Sequence, residues 1–213
     1  DCNAFCCSDS IADLEKNGRV GALRWIRSFE NAVNGTGRPL PEVLSRQNMY
    51  WYEMHDSARA DFVTGMNPDR RLFIAKFDEP TFVNQRLIAL KQKDQGMDGD
   101  LLHALLNSIV GMFYIEAIGF GRGLGALDIN ATKIGTMKIL NPAKLTERNS
   151  ADILKAFAPI KSRCVLETDL ELQQTDRIHF DRTVLEAFGI EKHYNQIRDA
   201  LLSMQQVRKT ATE

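Results

Sequence analysis

Residues 101–118 read Leu101-Leu-His-Ala-Leu-Leu-Asn-Ser-Ile-Val-Gly-Met-Phe-Tyr-Ile-Glu-Ala-Ile118, apolar on nearly every side. A helix of that composition has no face to offer water, so it is expected to be buried all round. His103, Asn107, Ser108 and Glu116 lie within it and Asp100 precedes it. Those groups are costly in lipid, so the run predicts a core helix and not a membrane span. Asp98 or Asp100 is placed to cap it. The chain then reads Gly119-Phe-Gly-Arg-Gly-Leu-Gly125. Alternating glycines suit a backbone that bends tightly or comes close to something large, and Arg122 is the single cation on that loop. Lys133 to Leu140 mixes β-branched and long side chains and stops at Asn141-Pro142, which predicts a strand. A buried helix should therefore deliver the chain to a cationic glycine loop, and a strand should carry it back.

Working outward, residues 8–33 have helical spacing, with Ser8 or Asp9 as cap and an apolar stripe from Ile11 and Leu14 through Ala22, Ile26 and Phe29. Gly35, Gly37, Pro39 and Pro41 break the chain into a loop. From Met49-Tyr50-Trp51-Tyr52 the texture becomes short β-type runs, with Asn67-Pro68-Asp69 and Asp78-Glu79-Pro80 as turns. After Pro142 the pattern is helical again. Ser150 is expected to cap a helix that Pro159 ends, and Phe180, Val184, Leu185 and Phe188 share a face that Gly189 closes. Asp176, Asp181 and Glu186 alternate with Arg177 and Arg182 at helical spacing, which reads as a salt-bridged, exposed face. Tyr194, Ile197, Leu201 and Met204 form a seam for another helix. The expected fold is α+β: a mixed, mainly antiparallel sheet around a buried central helix, followed by a helical C-terminal region. Its parts are a helical segment and linker over 1–44, an α/β core over 45–148 and a helical packing or assembly region over 149–213.

The 213 residues carry a formal net charge of −1, which argues against an indiscriminate nucleic-acid binder. The charge is unevenly spread, with a net excess of three cations in 67–93 and three in 119–148. The chain starts at Asp1 without a charged-then-apolar leader and reads as a piece of a longer polypeptide. Cys2, Cys6, Cys7 and Cys164 lack the paired spacing of a zinc site, and reduced cytoplasmic thiols are the simplest reading. No phosphate-binding loop, dinucleotide fingerprint, metalloprotease helix or nucleophile elbow is present. The glycine run follows a helix, whereas phosphate loops follow a strand. His55, His103, His179 and His193 are scattered, so no catalytic residue and no metal ligand set is expected.

Binding chemistry is better represented. Asn84, Gln85 and Arg86 carry the side chains that make bidentate hydrogen bonds to adenine and guanine in a major groove. Arg122, Lys133 and Lys138, with Arg70 and Arg71 in the other basic block, are suited to phosphates or groove edges. Trp51 and Tyr52 either stack on a base or fill a core.

The order of these features resembles the C-terminal specificity region of bacterial adenine-specific DNA methyltransferases of restriction–modification systems, of the Taq type and the combined restriction–methylation class. The carrying residues are Trp51-Tyr52-Glu53, Val83-Asn84-Gln85-Arg86-Leu87 and Leu101-Leu102-His103-Ala104-Leu105-Leu106-Asn107-Ser108. They continue with Gly121-Arg122-Gly123 to Leu127-Asp128-Ile129, then Leu140-Asn141-Pro142 and the Asp176-Arg177-x-x-Phe180-Asp181 tail. The likeness covers about residues 45–208. It implies a target-recognition fragment that binds double-stranded DNA, in the bacterial cytoplasm, beside an upstream methyl-transfer domain. In such enzymes an Asn/Asp-Pro-Pro-Tyr/Phe motif holds the flipped adenine. Here Asn67-Pro68 continues as Asp-Arg and Asn141-Pro142 as Ala-Lys. No cofactor is therefore expected in this fragment, and S-adenosylmethionine belongs to the parent enzyme. The competing expectation is a subunit-assembly module that self-associates through its C-terminal helices and does not read DNA.

Overall fold

The computed structural model describes residues 5–54, 59–94, 96–121 and 126–210. The fold is α+β, with short antiparallel pairings among many helices. The chain forms two compact units, residues 1–59 and 60–213. The division thus falls at 59/60, whereas the sequence texture placed it at 44/45.

In the first unit, α1 (Ile11–Lys16) and α2 (Val20–Phe29) are joined at Gly18, whose φ of +61° a side chain would strain. Ser10 caps α1, its Oγ accepting from the Asp13 amide at 3.1 Å. A short α3 (Leu40–Leu44) follows. Leu14, Ile26 and Tyr52 form the core. Residues 49–52, expected as strand, form none: Met49 makes an isolated antiparallel bridge with Arg46, and Trp51 and Tyr52 lie in a turn. The pull of one buried ring set the path there: Tyr52 is buried and its hydroxyl donates to the Asp9 carbonyl at 3.0 Å.

The second unit opens with β1 (Ala60–Gly65), flanked by β2 (Ala75–Thr81) and β3 (Leu87–Leu90), both antiparallel to it. Ala60, Phe62 and Thr64 point inward, the period-2 pattern of a sheet with one buried face. Pro80 was expected in a turn and lies within β2. An edge strand tolerates the missing N–H, and β2 is an edge.

The apolar run at 101–118 is two helices, not one. Helix α4 (Gly99–Leu106) and α5 (Ile109–Ile118) are bent by 62° at Asn107-Ser108. Asp98 caps α4, accepting from the Asp100 and Leu101 amides at 2.8 and 3.3 Å. The break is built from side chains that offer the backbone alternative partners. Ser108 caps α5, and the Asp181 carboxylate accepts from the Ile109 amide at 2.8 Å. The Asn107 amide pairs with both backbone groups of Ile74, accepting from N–H at 3.0 Å and donating to C=O at 2.8 Å. Asn107 thus sews the helix junction to the chain entering β2. Among the described residues no single helix is long and apolar enough to cross a membrane.

Phe120–Gly121 (β4) pairs with Leu127–Asp128 (β5). The strand expected over 133–140 is absent: residues 131–135 form a short helix, α6 (Ala131–Gly135), capped by Asn130, and 137–140 join no strand. The Asn130 side chain accepts from the Lys133 amide at 2.9 Å and so favours a turn over β extension. Helix α7 (Glu147–Lys161) begins at Thr146, ahead of the expected cap, and runs through Pro159. Helices α8 (Thr168–Glu171), α9 (Thr175–Ala187) and α10 (Tyr194–Thr210) complete the chain. Ile153, Phe157 and Ile160 of α7 meet Phe180 and Val184 of α9 beside Leu101 and Leu105 of α4. Gly189 ends α9 at φ +70°, as its position promised. The stripe on α10 is filled within the chain, Tyr194 and Leu201 lying in the same core as Ile109, Met112 and Ile115 of α5.

The face expected to be exposed on α9 is partly interior: Arg177 is 3% and Asp181 0% exposed. Arg163 makes a second, half-buried cluster, donating to both oxygens of Glu171 at 2.8 Å and to Asp176 at 2.7 and 3.1 Å. Hydrogen bonds from Arg163 pull the Asp176 carboxyl below its ordinary range; for Glu171 burial pushes the other way, and the Arg163 bonds and Leu166 amide outweigh it. A carboxyl with a lowered native pKa contributes stability above its unfolded value, and that contribution is lost as pH falls through the native value. Arg163→Ala is therefore expected to cost about 1.5–3 kcal/mol at pH 7. The loss should shrink on acidification below about pH 4, as followed by urea denaturation across pH.

Candidate nucleic-acid interface

At the Gly65 end of β1 the chain makes an irregular loop over 66–71. Asp69 takes a φ of +35°, which an aspartate tolerates better than most residues. Four ties hold this loop. The Ile129 amide donates to Met66 C=O at 2.9 Å, and Asn67 Nδ2 donates to Leu127 C=O at 3.3 Å. Arg208 Nη2 donates to Asp69 C=O at 2.9 Å, and Thr168 donates to Arg70 C=O through its amide and its hydroxyl, each at 2.9 Å. The backbone is fixed while the Arg70 and Arg71 side chains remain exposed. They line a cleft of about 450 Å³ with Thr64, Gly65, Asn67 and Leu87. Glu167 meets Arg70 at 3.4 Å, both side chains more than a third exposed, so the pair holds little.

Arg208 is anchored in turn. Its guanidinium donates to Glu116 at 2.7 and 3.1 Å, the two side chains 5% and 3% exposed, and Gln205 Nε2 reaches the same carboxylate at 3.5 Å. Helix α5 therefore holds α10, and α10 holds the loop.

Of the sequence candidates, Arg122 lies outside the described residues. The base of its loop borders the cleft region: Leu127 accepts from Asn67, and a Cβ on Gly121 would stand 3.8 Å from Arg208 Cγ. Phe120 and Gly121 face solvent, whereas Leu127 and Asp128 are buried. Lys133, on α6, places its ammonium 4.9 Å from the centre of the Phe120 ring, beside that base. Asn84, Gln85 and Arg86 are exposed in the turn that enters β3, whose Leu87 pairs with Gly65 and lines the cleft. The Asn84 side-chain oxygen accepts from the Arg86 amide at 2.9 Å and its main-chain carbonyl from the Leu87 amide at 2.9 Å, which fixes the turn. The structure thus brings Arg70, Arg71, the 84–86 turn and, through Phe120, Lys133 to one end of β1.

Lys138 is exposed beyond α6, and no hydrogen bond or ion pair among the described residues ties it to the cleft. Trp51 and Tyr52 belong to the first unit. Tyr52 is a core residue there, with Trp51 packed edge-on at 5.6 Å between ring centres. The residues that sequence reasoning missed are Asn67 and the Glu116–Arg208 pair. Glu116 was the available signal, since an acid in an all-apolar helix requires a buried cation.

His103 is buried, and burial holds its ring below the usual imidazole range, while His179 and His193 are exposed. Among the described residues, no three His, Cys, Asp or Glu side chains are gathered to hold a metal ion. The cleft sets Arg70 and Arg71 beside Asp69 and Glu167, and the 84–86 turn adds exposed amide and guanidinium groups at its edge. No family model matches the chain, and no curated protein or solved structure matches it.

Proposed function

We propose that this chain is the target-recognition part of an adenine-specific DNA methyltransferase of the bacterial cytoplasm. In this reading S-adenosylmethionine and the reacting adenine are held by an upstream domain. The observation that carries it is the gathering, at one end of β1, of two exposed arginines on a braced loop, an Asn-Gln-Arg turn and the base of the Arg122 loop. Phosphate contacts from Arg70, Arg71 and Lys133 set the register on the duplex, and the 84–86 turn with Arg122 meets base edges. The net charge of −1 and the few cations predict weak binding by this chain alone.

Fluorescence anisotropy with a short labelled duplex, titrated at several salt concentrations, tests this. Arg71→Ala is expected to weaken binding to all sequences and lower the salt slope by about one. Arg122→Ala in the parent enzyme is expected to cost about 1–3 kcal/mol of recognition at one base position. Affinity and salt slope unchanged in Arg70→Ala/Arg71→Ala would remove the cleft from the interface.

A further inference from the structure

The first unit holds a cavity of its own, about 220 Å³ in volume. Two sets of rings line it. Phe5 stacks on Trp25 at 4.2 Å between ring centres, and Tyr50 stacks on Tyr52 at 5.4 Å with Trp51 edge-on to Tyr52. Among the described residues no ring of one set pairs with a ring of the other, so the cavity is the gap between them. The second set is held in place by its backbone. Glu53 N–H donates to the Tyr50 carbonyl at 2.9 Å, and Met54 N–H donates to the Cys7 carbonyl at 3.3 Å. The Tyr52 hydroxyl is tied to Asp9, so this wall cannot swing across to close the gap. Trp25 and Tyr50 remain exposed at its mouth.

The polar groups at the cavity are mostly donors. Glu53 already accepts from the Tyr50 amide at 2.9 Å, and no ion pair joins it to Arg46. The exposed Arg46 guanidinium makes no hydrogen bond or ion pair among the described residues. The indole N–H groups of Trp25 and Trp51 and the Tyr50 hydroxyl make no hydrogen bond there either. The open valence is therefore that of donors, one of them a cation whose planar fork matches a carboxylate. A gap between aromatic walls with such donors beside it suits a flat apolar body that carries an acid.

We propose that this cavity binds an aromatic carboxylate, its ring lying between the two ring sets and its carboxylate on Arg46. The volume admits one ring with its acid and falls short of sites for larger ligands, which start at about 300 Å³. The ligand is either a free aryl acid or the C-terminal aromatic residue of a polypeptide. Neither source rests on the DNA-binding reading above.

Trp25 and Trp51 are the two tryptophans of the chain and both line the cavity, so indole fluorescence of the whole protein reads this site. N-acetylphenylalanine, which is silent when indole is excited, is expected to shift the emission saturably. Its amide should bind about two- to fivefold more weakly, the size of an exposed ion pair. That difference should shrink at high salt. Arg46→Gln should erase it while leaving the affinity for the amide unchanged. Tyr50→Ala should weaken acid and amide alike, with circular dichroism unchanged. N-acetylalanine, an acid without a ring, should leave the emission as it is. No saturable shift with N-acetylphenylalanine, equal affinity for acid and amide, or tighter binding of phenethylammonium than of the acid each overturns the proposal. A hexapeptide ending in phenylalanine separates the sources. Tighter binding than N-acetylphenylalanine, lost when the C-terminus is amidated, assigns a polypeptide terminus; binding no tighter assigns the free acid.

Discussion

Arg177→Met is expected to destabilise the protein by about 3–5 kcal/mol at neutral pH, a large share of the 5–15 kcal/mol that folds a typical domain. The guanidinium is the centre of the helix junction. Its Nε donates to Asp181 Oδ2 at 2.9 Å, and Nη2 donates to the Asn107 carbonyl, one of the orphan acceptors that ends α4, and contacts Met112 Sδ at 2.7 Å. Methionine matches the apolar volume and restores none of this, so a fully buried carboxylate loses its cation. The pH dependence separates that cause from simple loss of packing. Burial already pushes the Asp181 carboxyl up to about 6, against the pull of Arg177 and the Ile109 amide. A carboxyl raised in the native state stabilises below its unfolded value, and that contribution is lost as pH rises through the native value. Removing the cation raises Asp181 further. The penalty of Arg177→Met should therefore be largest near pH 7 and smaller near pH 5, as denaturant titrations at the two values will read. A penalty independent of pH would mean that lost packing alone is responsible.

The second large effect is expected at Glu116→Ala, again about 3–5 kcal/mol, because Arg208 would stay buried without its carboxylate. Here the double variant is the more informative. Glu116→Met/Arg208→Met replaces a buried pair with apolar side chains and should cost far less than either single change, as buried pairs often do. It nevertheless removes the donor to the Asp69 carbonyl. If Arg208 positions the 66–71 loop, the double variant retains its melting transition and still binds a duplex more weakly, with the Arg71 contribution gone. Normal duplex binding in a stable double variant would show that the other three ties suffice and that Arg208 serves stability only.

The fold class was legible, and so were several local devices, because each depends on residues close in sequence. Asp98 capping α4 and Gly189 closing α9 need only the neighbouring amides and one permissive backbone angle. The α10 stripe was legible as a periodic apolar face, though not which helix it would meet. Other expectations failed where a distant partner decided the outcome. The run at 101–118 has the length and greasiness of one helix; Ser108 caps the second half locally, and the distant partners Asp181 on α9 and Ile74 ahead of β2 fix the break there. Arg177 and Asp181 looked like surface charges because alternating signs at helical spacing suit a solvated face. Their burial follows from the orphan groups that the break creates. Residues 133–140 are the exception, a local signal outweighed by strand composition: Asn130, three residues before Lys133, caps the helix over 131–135, and Ile134 enters the core.

The candidate interface divides the same way. Sequence by itself established where the cations and the Asn-Gln-Arg triplet lie along the chain, and that no reactive motif accompanies them. It also held the clue that Glu116 needed a buried partner. Only the tertiary structure decided that Arg70, Arg71, the 84–86 turn and the base of the Arg122 loop share one end of β1, and that Tyr52 spends its ring on a core. The reason is physical: caps and periodicity are set by neighbours a few residues away. A buried charge, a loop brace or a binding surface instead depends on groups such as Glu116 and Arg208, 92 positions apart, which only the packed chain brings together.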